Sequence, residues 1–215
     1  MSYQNKCLQC GDLCKCYNSP KLGGDAIDFT AQMVCSDNQI TTINLREHIK
    51  GKYGILFFYP LNFTFVCPTE ILALNKNIAE FTDRNAEVLA ISVDSVHCHL
   101  AWKNTDYKKG GIGSLNLSLV SDIKKDISEQ YGVLNSDGFS FRGTFIIDPD
   151  FKLIYSSMNI DSIGRNVHEY LRILDADTHS KKYGEVCPAG WNSKTKALKP
   201  NLEDTAALIM HLVNQ

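Results

Sequence analysis

The sequence lacks an excess of either charge and lacks any long apolar run. Its 215 residues carry 22 basic and 24 acidic side chains, a formal net charge of −2. Nucleic-acid binding usually needs a basic excess, so no nucleic-acid partner is predicted. The longest apolar runs, such as residues 55–59 and 88–93, are far too short to cross a bilayer. No membrane association is therefore predicted.

The amino terminus also lacks recognisable targeting signals. The stretch MSYQNKCLQC has neither the apolar core of a secretory signal nor the arginine-rich pattern of a transit peptide. We therefore expect a cytoplasmic protein, with the mitochondrial matrix as the alternative if a presequence has been removed.

No internal repeat or long low-complexity run interrupts the chain, and its 44% hydrophobic content suffices for one domain with appendages. Residues 1–24 are polar and end in SPKLGG, which indicates a boundary. We predict a cysteine-rich amino-terminal appendage over residues 1–24, a globular domain over 25–183 and a carboxy-terminal arm over 184–215.

Cysteine is abundant. The eight cysteines lie at positions 7, 10, 14, 16, 35, 67, 98 and 187. In an intracellular protein of this length, such residues tend to be catalytic, metal-binding or buried. The run CLQCGDLCKC leaves two interpretations open, a zinc site formed by Cys7, Cys10, Cys14 and Cys16 or a disordered tail. We interpret Cys35 and Cys98 as buried residues without a chemical role.

Hydrophobic periodicity predicts an α/β fold. Continuous or alternating apolar runs predict strands over residues 29–34, 40–45, 53–60, 87–93, 117–120, 141–147 and 153–157. Helical patterns follow Cys67 as far as residue 81, then cover 97–107, 122–131, 164–174 and 202–213. This order predicts a mixed central sheet flanked by helices. A thioredoxin-like topology fits it, as do other small α/β folds.

Cys67 lies where the buried strand YGILFFYP gives way to a helix. A helix N-terminus presents free N–H groups and a partial positive charge, which favour a thiolate. Pro60 and Thr64 precede the cysteine in the same loop. A local redox dithiol is excluded, because the fourth position of a C-x-x-C motif is occupied by Glu70. A reactive thiol and a small buried apolar side chain remain as alternatives.

At FYPLNFTFVCPTE, residues 58–70, the sequence resembles the active-site segment of the typical 2-Cys peroxiredoxins. The resemblance extends from about residue 23 to the carboxy terminus. Further blocks follow in the family's order: ISVDSVHCHLAW, GGIG, FRGTFIID, IGR and GEVCPAGW. The resemblance implies a thioredoxin-like fold and a thiol-dependent peroxidase that needs no cofactor.

The resemblance also implies a two-cysteine cycle. Cys67 attacks hydrogen peroxide or an organic hydroperoxide and becomes a sulfenic acid, which Cys187 of a partner subunit converts to a disulfide. Thioredoxin or a similar dithiol then reduces that disulfide. The implied assembly is a homodimer that can associate further into a decamer.

The implied pocket contains Thr64, Arg142 and Pro60 around the sulfur, with Glu70 and Arg165 behind them. An ordinary thiol is already a few per cent ionised at neutral pH, so full ionisation gains only about 30-fold in rate. Arg142 and the pocket geometry must therefore contribute as well, by orienting the peroxide and stabilising the departing oxygen.

Two other functions are compatible with the sequence. The same scaffold could act as an oligomeric holdase chaperone or as a redox-signalling relay. A disulfide reductase is a further hypothesis besides these two, and the missing C-x-x-C motif argues against it.

Overall fold

A computed structural model describes residues 19–214, and its central element is one mixed sheet. The strands are β1 (Thr30–Val34), β2 (Ile40–Asn44), β3 (Tyr53–Phe58), β4 (Ala86–Ser92), β5 (Ser118–Ser121), β6 (Arg142–Ile147) and β7 (Leu153–Asn159). Their spatial order is β2-β1-β5-β4-β3-β6-β7. The β3–β4 and β4–β5 pairs are parallel and the other four are antiparallel. The predicted mixed sheet is confirmed.

Helices cover both faces of this sheet. They are α1 (Leu45–His48), α2 (Cys67–Lys76), α3 (Ile78–Asp83), α4 (Val96–Asn104), α5 (Asp126–Gln130), α6 (Val167–Tyr183) and α7 (Leu202–Val213). One face packs against α2, α3, α4 and α6, and the other packs against α1 and α5. The four N-terminal cysteines of the predicted zinc site or tail lie outside the described residues.

Strand β3 is the rigid support of the loop that carries Cys67. Ile55 and Phe57 point into the core on one face of the sheet, whereas Leu56 and Phe58 point into the core on the other. All four are 0% exposed. A strand buried on both faces by large apolar side chains has little freedom to move, so the loop that follows starts from a fixed point.

The helix predicted from Cys67 to residue 81 is divided at Asn77. The Asn77 side-chain amide donates to the Ala73 carbonyl at 2.7 Å, and this carbonyl would accept the Asn77 backbone N–H in a continuous helix. The backbone N–H instead bonds Leu74 O at 3.0 Å. The prediction of one continuous helix was therefore wrong, because a side chain competes for a backbone acceptor.

Helix α5 is shorter than the predicted 122–131. Residue Lys125 has φ 66°, in the left-handed region, so the helix begins only at Asp126. Asp122 is not the N-cap by position, yet its carboxylate accepts from the backbone N–H groups of Ile127 at 3.1 Å and Ser128 at 2.7 Å. It therefore performs a capping role from one turn further away.

Two other helix boundaries also differ from the prediction. Helix α4 ends at Asn104 rather than at residue 107, because Thr105 is extended at φ −87° and ψ 137°. Helix α6 begins at Val167, with the Asn166 side chain as its N-cap, and continues to Tyr183 rather than to residue 174. Because α6 is this long, the residues that follow it contact its side, with Cys187 at Ala176 and Trp191 at Arg172.

Candidate active site

Cys67 is the first residue of α2 and is 0% exposed. The helix has Val66 at its N-cap and no side chain caps it, so the partial positive charge of the first turn is not offset by a capping side chain. Pro68 follows within the first turn, as the sequence predicted. The sulfur therefore lies in a dry position beside a helix N-terminus.

Arg142, the first residue of β6, reaches the sulfur from the sheet. Its Nη1 atom lies 3.4 Å from Cys67 Sγ, and its side chain is 3% exposed. Its Nε and Nη2 atoms donate to the Asp161 carbonyl at 2.9 and 2.6 Å. This two-pronged contact fixes the plane of the guanidinium, so that Nη1 stays directed at the thiol. Nothing in the sequence indicated the contribution of the Asp161 backbone.

Glu70 connects two buried arginines. It accepts from Arg142 Nη1 at 2.7 Å, and from Arg165 Nε and Nη2 at 2.9 and 3.1 Å. The Arg165 guanidinium also lies 3.2 Å from the centre of the Phe57 ring, and its Nη1 donates to Gly143 O at 2.7 Å. These contacts bring Arg142 and Arg165, which are distant in sequence, into one cluster with Cys67 and Glu70 of the first turn of α2.

The formal charges of this cluster do not cancel. Two guanidiniums face one carboxylate, which leaves one positive charge beside the Cys67 sulfur. Burial works to lower the pKa of Arg142, but the hydrogen bond to Cys67 and the charge of Glu70 outweigh it and raise that pKa. Burial lowers the pKa of Arg165, and Glu70 opposes the change. A negative sulfur makes the whole cluster neutral.

The other two predicted pocket residues lie in the β3–α2 loop. Pro60 is buried two residues beyond the end of β3. The hydroxyl of Thr64 donates to the Leu61 carbonyl at 2.8 Å. Because its one proton is used in this bond, the hydroxyl is available to a bound group only as a hydrogen-bond acceptor.

Sequence reasoning missed a buried polar network that holds this loop. The Tyr59 hydroxyl donates to Asn62 Oδ1 at 2.8 Å, and burial holds the pKa of this tyrosine well above its usual value. The backbone N–H of Asn62 donates to Asp94 Oδ2 at 2.9 Å. The Asn62 amide reaches His99 Nδ1 at 3.1 Å and Cys98 Sγ at 3.4 Å. Every polar atom of the Asn62 side chain is therefore engaged.

His99 is a neutral member of this network. Its Nε2 lies 3.2 Å from Val120 O, so Nε2 carries the proton and Nδ1 accepts from Asn62. Burial lowers the pKa of His99 to about 4, against the opposing charge of Asp94. The network thus joins the wall of the pocket to α4 and β5 only while His99 is neutral.

Acid should therefore destabilise the protein through His99. Its pKa in the folded state lies below the ordinary value of about 6.5, so the unfolded state binds more protons as pH falls from 6.5 towards 4. Between pH 7.5 and pH 5 we expect this group to remove about 2 kcal/mol of the free energy of unfolding. Urea unfolding of wild type and His99→Gln at both pH values measures the difference, since glutamine does not titrate.

The exposed His168 provides the control for that measurement. His168→Gln should lose as much stability at pH 5 as the wild type does. Equal acid losses in wild type and His99→Gln would contradict the assignment of a neutral, buried His99.

The remaining described cysteines differ from one another in their surroundings. Cys187 is an unbonded, half-buried thiol whose Sγ donates to Ala176 O at 3.7 Å on α6. Cys35 and Cys98 are half-buried rather than buried as predicted, and Cys35 packs against the core on the α1 and α5 side of the sheet. Cys98 lies on the side of the polar network nearest the surface, where its thiol donates to Asp94 Oδ1 at 3.4 Å.

The class of protein follows from what the chain is similar to. A solved 2-Cys peroxiredoxin of Plasmodium vivax in its reduced form matches with a TM-score of 0.85 and 46% identity, over 88% of this chain and 98% of that one. A mitochondrial 2-Cys peroxiredoxin of Plasmodium falciparum matches with a TM-score of 0.74 and 50% identity, over 78% of this chain and 100% of that one. A chloroplastic 2-Cys peroxiredoxin of Hordeum vulgare is 49% identical over 86% of this chain and 88% of its own.

Fold and relatives together define a thiol-dependent peroxidase, an oxidoreductase built on a thioredoxin-like sheet. The sequence model of the AhpC/TSA family matches residues 22–156, and the chain belongs to that family. The predicted fold, family and enzyme class are thus confirmed. Within residues 19–214, no helix is long and apolar enough to span a membrane.

Proposed function

We propose that Cys67 is the residue that reduces the peroxide. The thiolate attacks the terminal peroxide oxygen, so that an S–O bond forms and the O–O bond breaks. The departing oxygen leaves as water or an alcohol after it takes up a proton, and Cys67 becomes a sulfenic acid. The contact that carries this proposal is the 3.4 Å approach of Arg142 Nη1 to the buried sulfur.

Arg142 acts at two stages of this step. Its positive charge stabilises the thiolate before the reaction and the developing oxyanion during it. Thr64 accepts a hydrogen bond from the protonated peroxide oxygen, and Pro60 keeps water from the sulfur. Glu70 and Arg165 hold Arg142 in place through the buried ion pairs. Hydrogen peroxide and organic hydroperoxides share the O–O group that this arrangement would recognise.

We further propose that Cys187 of a partner subunit resolves the sulfenic acid. Its sulfur forms the S–S bond with Cys67, and the hydroxyl of the sulfenic acid leaves as water. The compared relatives are named 2-Cys peroxiredoxins, which supports two working cysteines in this chain. Residues 184–215 then form the arm that carries Cys187, and 25–183 form the peroxidase domain. Thioredoxin or a similar dithiol restores both thiols.

A second copy of the chain is the partner that this step requires. Strand β7 is at the edge of the sheet, and Met158 and Ile160 are 49% and 59% exposed there. An open edge strand with apolar side chains suits antiparallel pairing with its own copy. The exposed Phe63 and Phe65, at 46% and 94%, supply apolar surface for further association into a decamer.

The cellular location that we propose is the cytoplasm, and the mitochondrial matrix is the alternative. Among the compared relatives, one is named chloroplastic and one mitochondrial. Fluorescence microscopy of the carboxy-terminally tagged protein distinguishes the compartments.

Non-reducing electrophoresis after one equivalent of peroxide tests the two-cysteine cycle. We expect a covalent dimer in the wild type that disappears in Cys67→Ser and in Cys187→Ser. Cys35→Ser and Cys98→Ser are the matched controls and should still form it. A wild-type monomer, or a dimer that persists in Cys187→Ser, would refute the proposed role of Cys187.

A further inference from the structure

The carboxy-terminal arm returns along the second half of α6. Arg172, Ala176, His179 and Tyr183 lie on one face of that helix, at spacings of four, three and four residues. Cys187 Sγ rests on the Ala176 carbonyl at 3.7 Å, and Arg172 Nη1 donates to Trp191 O at 3.4 Å. The part of the arm that carries Cys187 therefore lies on this helix face.

The His179 side chain contacts both the arm and the last residue of α6. Its Nε2 lies 2.8 Å from Glu185 Oε2, and both side chains are about one-quarter to one-third exposed. Its ring lies 5.0 Å from the Trp191 ring and 4.7 Å from the Tyr183 ring, centre to centre. Glu185 and Trp191 flank Cys187 in sequence, so His179 holds the arm on both sides of the thiol.

The docked position keeps Cys187 as an unreactive thiol. Burial raises the pKa of Cys187, although the charge of Arg172 opposes the change. A thiol that donates to a backbone carbonyl is not the nucleophilic form of cysteine. Release of the arm removes the burial and therefore favours the thiolate, which is the form that attacks a sulfenic acid.

The docked arm contains one buried hydrogen-bond donor without an acceptor among the described residues, which weakens its binding to α6. Trp191 is 3% exposed, yet its indole N–H finds no acceptor among residues 19–214. An unsatisfied buried donor opposes the docked state. The contacts of His179 thus offset an unfavourable burial, and their loss should shift the arm towards release.

We propose that His179 is a positioning residue for the resolving step: it holds the arm on α6 and sets how often Cys187 is released to react with the sulfenic acid at Cys67. This inference rests on the proposed function of Cys187. The reaction itself is unchanged, since the S–S bond forms between the two cysteines and water leaves.

Peptide-resolved alkylation tests the docking without peroxide. In a Cys67→Ser background, iodoacetamide should label Cys187 about threefold to tenfold faster after His179→Leu, because the hydrogen bond to Glu185 and the ring contact with Trp191 are lost. His179→Phe keeps the rings and Glu185→Gln keeps the volume, so each should give a smaller increase. The double variant His179→Phe/Glu185→Gln should add little to either, since both changes affect the same His179–Glu185 contact. Equal labelling of Cys187 in wild type and His179→Leu would overturn the proposal.

Rapid-quench kinetics test the consequence for catalysis. With Cys67 intact, His179→Leu should raise the rate of disulfide formation about threefold to tenfold and leave the rate of Cys67 oxidation unchanged. His179→Gln can still donate to Glu185 and should restore part of the wild-type rate. His168→Leu, at the start of the same helix, is the control and should change neither rate. Slower or unchanged disulfide formation in His179→Leu would overturn the inference.

The two failures can be told apart. If the wild type forms no Cys67–Cys187 disulfide, the proposed function fails, and the alkylation experiment still reports whether His179 docks the arm. If the wild type forms the disulfide and His179→Leu matches it in both measurements, only the present inference fails.

Discussion

Replacing Arg142 by lysine should lower kcat/KM for peroxide by about a hundredfold to a thousandfold. Lysine keeps the positive charge but offers a single donor centre, whereas Arg142 uses separate nitrogens for its neighbours. Its Nε and Nη2 atoms bond the Asp161 carbonyl while Nη1 serves both Glu70 and the sulfur. An ammonium group at this position loses the fixed orientation even where it keeps the charge. Stopped-flow measurement of the reaction with hydrogen peroxide gives the value.

Arg46 provides the matched control for Arg142. It is a half-exposed arginine that pairs with Asp25 on the surface, so Arg46→Lys should leave kcat/KM within about twofold of the wild type. A similarly small effect of Arg142→Lys would mean that charge alone suffices at this position. Orientation by the Asp161 carbonyl would then have no catalytic role.

Glu70→Gln should lower the free energy of unfolding by about 3–5 kcal/mol. The Glu70 carboxylate faces two guanidiniums whose side chains are 3% and 2% exposed, so its neutralisation leaves buried positive charge without a counterion. The same substitution should also lower peroxidase activity, since Arg142 loses one of the groups that orient it. Chemical denaturation measures the first effect.

Two further variants make this result specific. Glu169→Gln removes a partly exposed partner of Arg172 and should change the stability by less than about 1 kcal/mol. Adding Arg165→Leu to Glu70→Gln removes one of the two stranded charges and should recover part of the lost stability. A Glu70→Gln variant as stable as Glu169→Gln would show that water reaches the cluster and screens it.

Much of the fold could be predicted from the pattern of apolar residues. Strand β3 is recognisable in the sequence because it is continuously apolar, and helix α7 because its apolar residues follow a regular helical spacing. The errors fell at helix boundaries, where local backbone features decide the structure. The Asn77 amide interrupts a helical stripe, and Lys125 adopts a left-handed conformation before α5. Neither effect changes the hydrophobic period, which is the signal that the prediction uses.

The active site was only partly accessible from the sequence. The position of Cys67 at a strand-to-helix turn follows from periodicity, whereas the choice of Arg142, Glu70 and Arg165 needed the family resemblance. The Asp161 carbonyl left no signal at all, since every residue has one. Asn62 and His99 did leave a weak signal, as polar residues within otherwise apolar segments. Such residues need a buried partner, and the partner is decided by the tertiary fold.

The balance of charge around Glu70 has a consequence for the oxidised enzyme. In the proposed cycle, oxidation converts a Cys67 thiolate to a neutral sulfenic acid, which removes the negative charge that would match the surplus guanidinium. The positive charge left in the oxidised site would therefore attract an anion to Cys67. In that cycle the Cys187 thiolate of the partner subunit is such an anion, and its S–S bond with Cys67 completes the turnover. Arg142 would therefore act in both steps of the proposed cycle, on the peroxide first and on the incoming thiolate afterwards.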